Sequence, residues 1–94
     1  MSNPIELRGF MGLFKVFKER NWSNPYFITI KKTVTGDELL TMLEIEKKQI
    51  EIIFVNGKAF LPFDAVIHSG DRVALVPPGT PGPYRVLLGF VKKE

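Results

Sequence analysis

The chain of 94 residues contains no cysteine, one histidine, one tryptophan and no pair of adjacent glycines. Each scarcity removes a class of chemistry. Without cysteine there is no disulfide frame, no thiolate nucleophile and no zinc–sulfur site. With His68 as the only imidazole, beside the Ser69-Gly70 turn residues, a histidine-based metal site or a histidine–nucleophile pair has no partner to build on. No apolar run approaches the roughly 20 residues of a membrane span. The N-terminal MSNPIELRGF also lacks the basic-then-apolar order of a signal peptide. A location in the cytoplasm is therefore expected. No P-loop or dinucleotide fingerprint is present: Gly9-x-x-Gly12 is too short for either. Ser2, Ser23 and Ser69 have no base set around them by any motif, and Asp37, Glu38, Asp64 and Asp71 read as turn and cap residues. The protein is expected not to be an enzyme, with no catalytic, cofactor-binding or metal-binding residue and no cofactor.

What is present is apolar. Hydrophobic residues make up 45% of the chain, with eight Phe, enough for one modest core in a domain of this size. The net charge of +3 comes from scattered groups (Lys15/Lys18/Arg20, Lys31/Lys32, Lys47/Lys48, Lys92/Lys93) interrupted by Glu19, Glu44, Glu46 and Glu51. A nucleic-acid surface gathers its charge on one face with aromatics between, so nucleic acid is not the expected partner.

Along the chain, Ile5–Phe10 can form a first strand, after which Gly9 and Gly12 loosen the backbone. Residues 13–20 (LFKVFKER) fit a helical turn through Leu13, Val16 and Phe17. After the turn cluster NWSNP, Tyr26–Thr33 reads as a second strand, with Tyr26, Ile28 and Ile30 on one face. Trp22 and Tyr26 are expected to pack this loop onto the sheet. A helix starts at Thr35 through a T-x-x-E capping box with Glu38, and Leu39, Met42 and Leu43 form its apolar stripe. Ile50–Val55 then runs into Asn56-Gly57 and Lys58–Leu61, the strongest short-range hairpin signal. Ser69-Gly70-Asp71 turns the chain into Arg72–Val76, a central-strand candidate that Pro77-Pro78 ends.

The strand ending in Val55-Asn56-Gly57, the Phe60–Asp64 stretch, Gly70-Asp71-Arg72-Val73 and the closing Val76-Pro77-Pro78-Gly79 resemble the MoaD/ThiS sulfur-carrier family, with Ser69 where that family often has Asp. The resemblance covers residues 5–79 and is specific over 50–79. It implies an α+β fold, a ubiquitin-like β-grasp: a mixed sheet of about four to five strands on one main helix, in a domain spanning 1–79. It also implies a sulfur carrier linked to molybdopterin-type or thiamine cofactor biosynthesis. In the family a terminal glycine is adenylated by an E1-like adenylyltransferase, converted to a thiocarboxylate, and hands its sulfur to a cofactor synthase. Here Gly79 and Gly82 are single, and the chain continues through TPGPYRVLLGFVKKE to Lys93-Glu94. As written, the C-terminus is expected not to be adenylated. The alternative is a ubiquitin-like protein-interaction module, or a TGS-like domain, without sulfur transfer.

Residues 80–94 form a Pro/Gly linker and an apolar extension. Pro77–Pro83 holds four Pro and two Gly in seven residues, a stiff connector. Tyr84–Val91 is apolar on both alternating sets and is expected to pack on the same domain or, alternatively, on a partner. The candidate partner-binding residues are Pro78, Gly79, Thr80, Pro81, Gly82, Tyr84, Leu88 and Phe90.

Overall fold

A computed structural model describes residues 3–79. Among the described residues are seven strands: β1 (Ile5–Gly9), β2 (Tyr26–Ile28), β3 (Val34–Thr35), β4 (Ile52–Val55), β5 (Lys58–Phe60), β6 (Val66–Ile67) and β7 (Arg72–Val76). Helices α1 (Leu13–Glu19) and α2 (Gly36–Leu43) and a short 3-10 turn, Lys47–Gln49, complete the described fold. The main sheet has the order β2-β1-β7-β4-β5, with β1 and β7 parallel and every other pair antiparallel. This is the mixed five-stranded sheet of a β-grasp, α+β in class. The first and last main-sheet strands lie side by side at its centre.

The sheet's inner face carries Ile5 and Leu7 from β1, Ile53 and Val55 from β4, and Val73 and Leu75 from β7, all buried. Leu13 and Phe17 from α1 and Leu39, Leu40 and Leu43 from α2 close over them as one core. At roughly 25 cal/mol per Å² of apolar surface removed from water, this layer supplies most of the driving force for folding.

Helix α2 begins as its sequence dictates. The Glu38 N–H donates to Thr35 Oγ1 at 3.1 Å, and the Thr35 N–H donates to Glu38 Oε1 at 2.8 Å. Its stripe differs from the expected one, because Leu40 is fully buried and Met42 is 52% exposed. The reason is angular: at 100° per residue, Gly36, Leu39, Leu40 and Leu43 fall within one face, and Met42 lies outside it. Gly36 belongs to that face because the helix start presses on the chain behind it. A Cβ there would collide with the Pro62 carbonyl oxygen and lie 2.8 Å from Ile53 Cδ1.

Three further differences from the expected elements have physical causes. The second strand stops at Ile28, although Ile30 still turns inward and is buried. Gly9 lies within β1 and does not loosen it; a Cβ there would sit 2.9 Å from Phe17 Cε1, so the glycine lets α1 close on the sheet. Strands β3 and β6 pair Val34 with Ile67 and Thr35 with Val66, a two-residue ladder too short to leave a periodic signal.

Candidate functional site

The central strand β7 has two ends, and they are held by different means. At its start the two sequence motifs meet. Asn56 opens the β4–β5 hairpin in the left-handed region at φ 51°, followed by Gly57 at φ 88°, the pair of positive angles that a type I′ turn needs. Its own N–H donates to the Arg72 carbonyl at 2.8 Å, and its Oδ1 accepts from the Arg72 N–H at 2.9 Å. Asn56 Nδ2 donates to Asp71 Oδ1 at 3.0 Å, while Asp71 Oδ2 accepts from the His68 N–H at 2.8 Å. Asn56 and Asp71 therefore clamp the hairpin to the Gly70 turn. The Asn56 side chain satisfies the Arg72 N–H across the two turns, while the Asp71 carboxylate holds both the Asn56 amide and the His68 N–H of its own turn. His68 Nδ1 lies 3.7 Å from Asp71 Oδ2 on an exposed turn, in keeping with a turn residue.

At its other end β7 delivers the chain to the surface. The Phe10 N–H donates to the Leu75 carbonyl at 3.2 Å, and the Glu51 N–H donates to the Val76 carbonyl at 2.8 Å. Asn24 braces the neighbouring corner: its Nδ2 donates to the Gly9 carbonyl at 2.9 Å, and its Oδ1 accepts from the Gly9 N–H at 3.3 Å. Pro77 ends the ladder because it has no N–H to give. Pro78 and Gly79 form an exposed turn, with Gly79 at φ 83° and open space where a Cβ would be. Of the candidate partner-binding residues, Pro78 and Gly79 are thus placed at the root of the tail. Thr80, Pro81, Gly82, Tyr84, Leu88 and Phe90 lie outside the described residues.

A second surface feature, not anticipated from sequence, is an open groove of about 560 Å³ between β2 and the end of α2, lined by Arg20, Trp22, Tyr26, Ile28 and Met42 among others. Trp22 packs edge-on to Phe17 at 5.3 Å and stacks on Tyr26 at 4.8 Å, as expected of a loop anchor. The Arg20 guanidinium sits 5.1 Å from the Trp22 ring and donates to the carbonyls of Leu43 and, at 2.6 Å, Glu44. These are the last carbonyls of α2, where the helix ends on a left-handed Glu44 at φ 56°. Arg20 thus supplies the charge and donors that a helix C-terminus attracts.

Among the described residues no group of His, Asp or Glu is placed to hold a metal ion. No described helix is long and apolar enough to cross a membrane. Glu38 has a displaced pKa. The N–H of Thr35 holds its carboxyl below the usual carboxylate value, opposed by desolvation and helped by the Thr35 hydroxyl and by Lys32. That is the signature of a cap.

With the central strand clamped at one end and presenting its chain at the other, the sequence comparison becomes interpretable. The model of the ThiS family matches residues 24–82, more than half of the chain. The chain belongs to the ThiS family. Its members are small sulfur carriers with a β-grasp fold, not catalysts themselves, and they work with partner proteins. No match to a curated protein was found. The ThiS-family match opens at Asn24, the brace on Gly9, and runs three residues past Gly79 into the Pro/Gly linker. It excludes β1 and α1, although β1 supplies the parallel neighbour of β7.

Proposed function

We propose that this ThiS-family protein is a non-enzymatic, sulfur-carrier-like protein of the cytoplasm that acts through protein contacts in molybdopterin-type or thiamine cofactor biosynthesis. Its partners in this reading are an E1-like adenylyltransferase and a cofactor synthase, which read the root of the tail. The observation that carries the reading is the exit of the central strand. β7 is paired with β1 up to Leu75 and with β4 up to Val76, and the chain then leaves it at an exposed, positive-φ Gly79 with no described residue near where a Cβ would lie. A rigid platform with a thin, unencumbered exit suits delivery of a tail into a partner's channel. The specific positions are Pro78 and Gly79, with Thr80, Pro81, Gly82, Tyr84, Leu88 and Phe90 continuing the contact.

One observation favours a second reading. The sequence has no adjacent glycines, and a bulky residue separates Gly79 from Gly82 on either side of their interval, Thr80 and Pro81. A tail that must thread a narrow channel tolerates neither well, so the same platform can serve as an interaction module without sulfur transfer. Intact mass separates the two. The purified chain is incubated with an E1-like adenylyltransferase, ATP and a sulfur donor. Carriage predicts a gain equal to replacing a carboxylate oxygen by sulfur, on the full or a trimmed chain. An unchanged mass with a stable complex establishes the module, and neither result leaves the family reading without a partner.

A further inference from the structure

The main sheet ends in β2 on one side and β5 on the other, and the bonding of β1 fixes what β2 leaves unpaired. The Glu6 N–H donates to the Asp71 carbonyl at 3.0 Å and the Phe10 N–H to the Leu75 carbonyl at 3.2 Å. Even-numbered backbone groups therefore face β7, and odd-numbered ones face β2, where Asn24 bonds both polar groups of Gly9. Ile5 with Ile28 and Leu7 with Tyr26 are then the hydrogen-bonded pairs of the β1–β2 ladder. Phe27, opposite Glu6, turns its N–H and C=O to the open edge. Among the described residues neither group has a partner. The preceding outward position is closed: Pro25 has no N–H, and its carbonyl accepts from Ser23 Oγ at 2.8 Å.

Both sides of this edge are apolar. Phe27 is 55% exposed on the outer side. On the inner side the groove of about 560 Å³ runs from Tyr26 and Ile28 to Met42, itself 52% exposed. An added strand alternates its side chains between the faces, so one set would meet Phe27 and the other would enter the groove. Charge selects the partner. Within the groove Arg20 and Glu44 offset each other. Lys31 and Lys32, both exposed, follow the strand by three and four residues. Lys32 also acts on Glu38, and Lys31 has no ion pair among the described residues. Lysines beside a short edge strand oppose pairing with a second copy, which would bring the same two charges, and they attract an acidic chain.

We propose that β2 is a docking edge for an extended, acidic peptide segment of a partner protein. The segment pairs with the Phe27 backbone, sets apolar side chains in the groove toward Met42, and meets Lys31 and Lys32 with its carboxylates. The proposal does not depend on sulfur carriage, because β2 lies two strands away from β7 and its exit.

The test is an amide 1H–15N titration of the full chain with an acetylated, amidated peptide of alternating Val and Thr that ends in three Asp. Docking predicts shifts concentrated at Phe27, Ile28 and Thr29, with slowed hydrogen exchange of the Phe27 amide. Methylating the peptide's Val and Thr amide nitrogens is expected to weaken binding about tenfold or more. Lys31→Gln with Lys32→Gln in the protein is expected to weaken it about fivefold. Shifts that are absent at millimolar peptide, or centred away from β2, overturn the proposal. Equal affinity for the methylated peptide, or for the double Gln variant, overturns it as well. Protection of the Phe27 amide that rises with protein concentration before any peptide is added assigns the edge to a second copy, which also overturns it.

Discussion

The two faces of the main sheet are built from alternate residues of the same strands, yet they are held by different parts of the chain. The inner face is closed by α1 and α2, whose apolar residues are spaced for the purpose, and its β1, β4 and β7 residues Ile5, Leu7, Ile53, Val55, Val73 and Leu75 are buried. The outer face mixes the Glu6–Arg8 ion pair at 3.4 Å and an open Phe27 with a fully buried Val76. Folding is secured on one face, and the exposed charges of the sheet, Arg8 and Arg72, lie on the other. The ends of β7 repeat the contrast: side-chain hydrogen bonds fix its start, whereas its end is left as an exit.

The sharpest way to break this comparison is to truncate one large apolar side chain on each face. Leu75→Ala on the inner face is expected to cost about 2–5 kcal/mol of stability, and Phe27→Ala on the outer face about 0.5 kcal/mol or less, in urea unfolding. Equal losses would show that the outer face also bears the fold. Next in size is the contact between α2 and the chain behind it. Gly36→Ala drives a methyl into the Pro62 carbonyl and Ile53, and overpacking of this kind costs about 1–3 kcal/mol; a neutral outcome by thermal melting would mean that α2 is free to shift.

The clamp at the start of β7 follows. Asn56→Ala removes the acceptor for the Arg72 N–H and the donor to Asp71, with an expected loss of about 1–2 kcal/mol. Asn56→Asp keeps the acceptor but sets a second carboxylate beside Asp71, so it should not restore stability at neutral pH. The cap of α2 comes next, where Thr35→Ala is expected to cost about 1 kcal/mol. Because the folded-state pKa of Glu38 is depressed, its contribution is full above the ordinary carboxylate pKa and is lost as pH falls through the lowered value. An acid titration of stability should therefore flatten in Glu38→Gln relative to the unaltered chain, most visibly over that acidic window.

Much of this fold is written in local chemistry. The Asn56-Gly57 hairpin, the Gly70-Asp71 turn, the Thr35/Glu38 box and the Pro77 stop each need particular residues at fixed spacing, and each is found where the spacing puts it. What escapes a sequence reading is set by tertiary geometry. The Leu40-for-Met42 exchange depends on which way α2 is rotated over Ile53. The role of Gly9 depends on how closely Phe17 approaches, and the β3–β6 ladder is two residues long. The candidate site is legible only at its root, Pro78 and Gly79, since the rest of its residues lie beyond the described chain. The burial of Val76 could not be foreseen either, because alternation assigns a face without saying what covers it.

One paired measurement tests the contrast between the faces most directly: thermal unfolding of the full chain carrying Val76→Asp or Phe27→Asp. Both place a carboxylate on the same outer face. A buried Val76 predicts a fall in Tm of more than about 10 °C for Val76→Asp, since a buried unpaired charge costs several kcal/mol and each kcal/mol is worth roughly 4–8 °C in a domain of this size. Phe27→Asp should lower Tm by only a few degrees at most. Equal and small shifts for the two variants would contradict the distinction between an open and a closed part of the outer face.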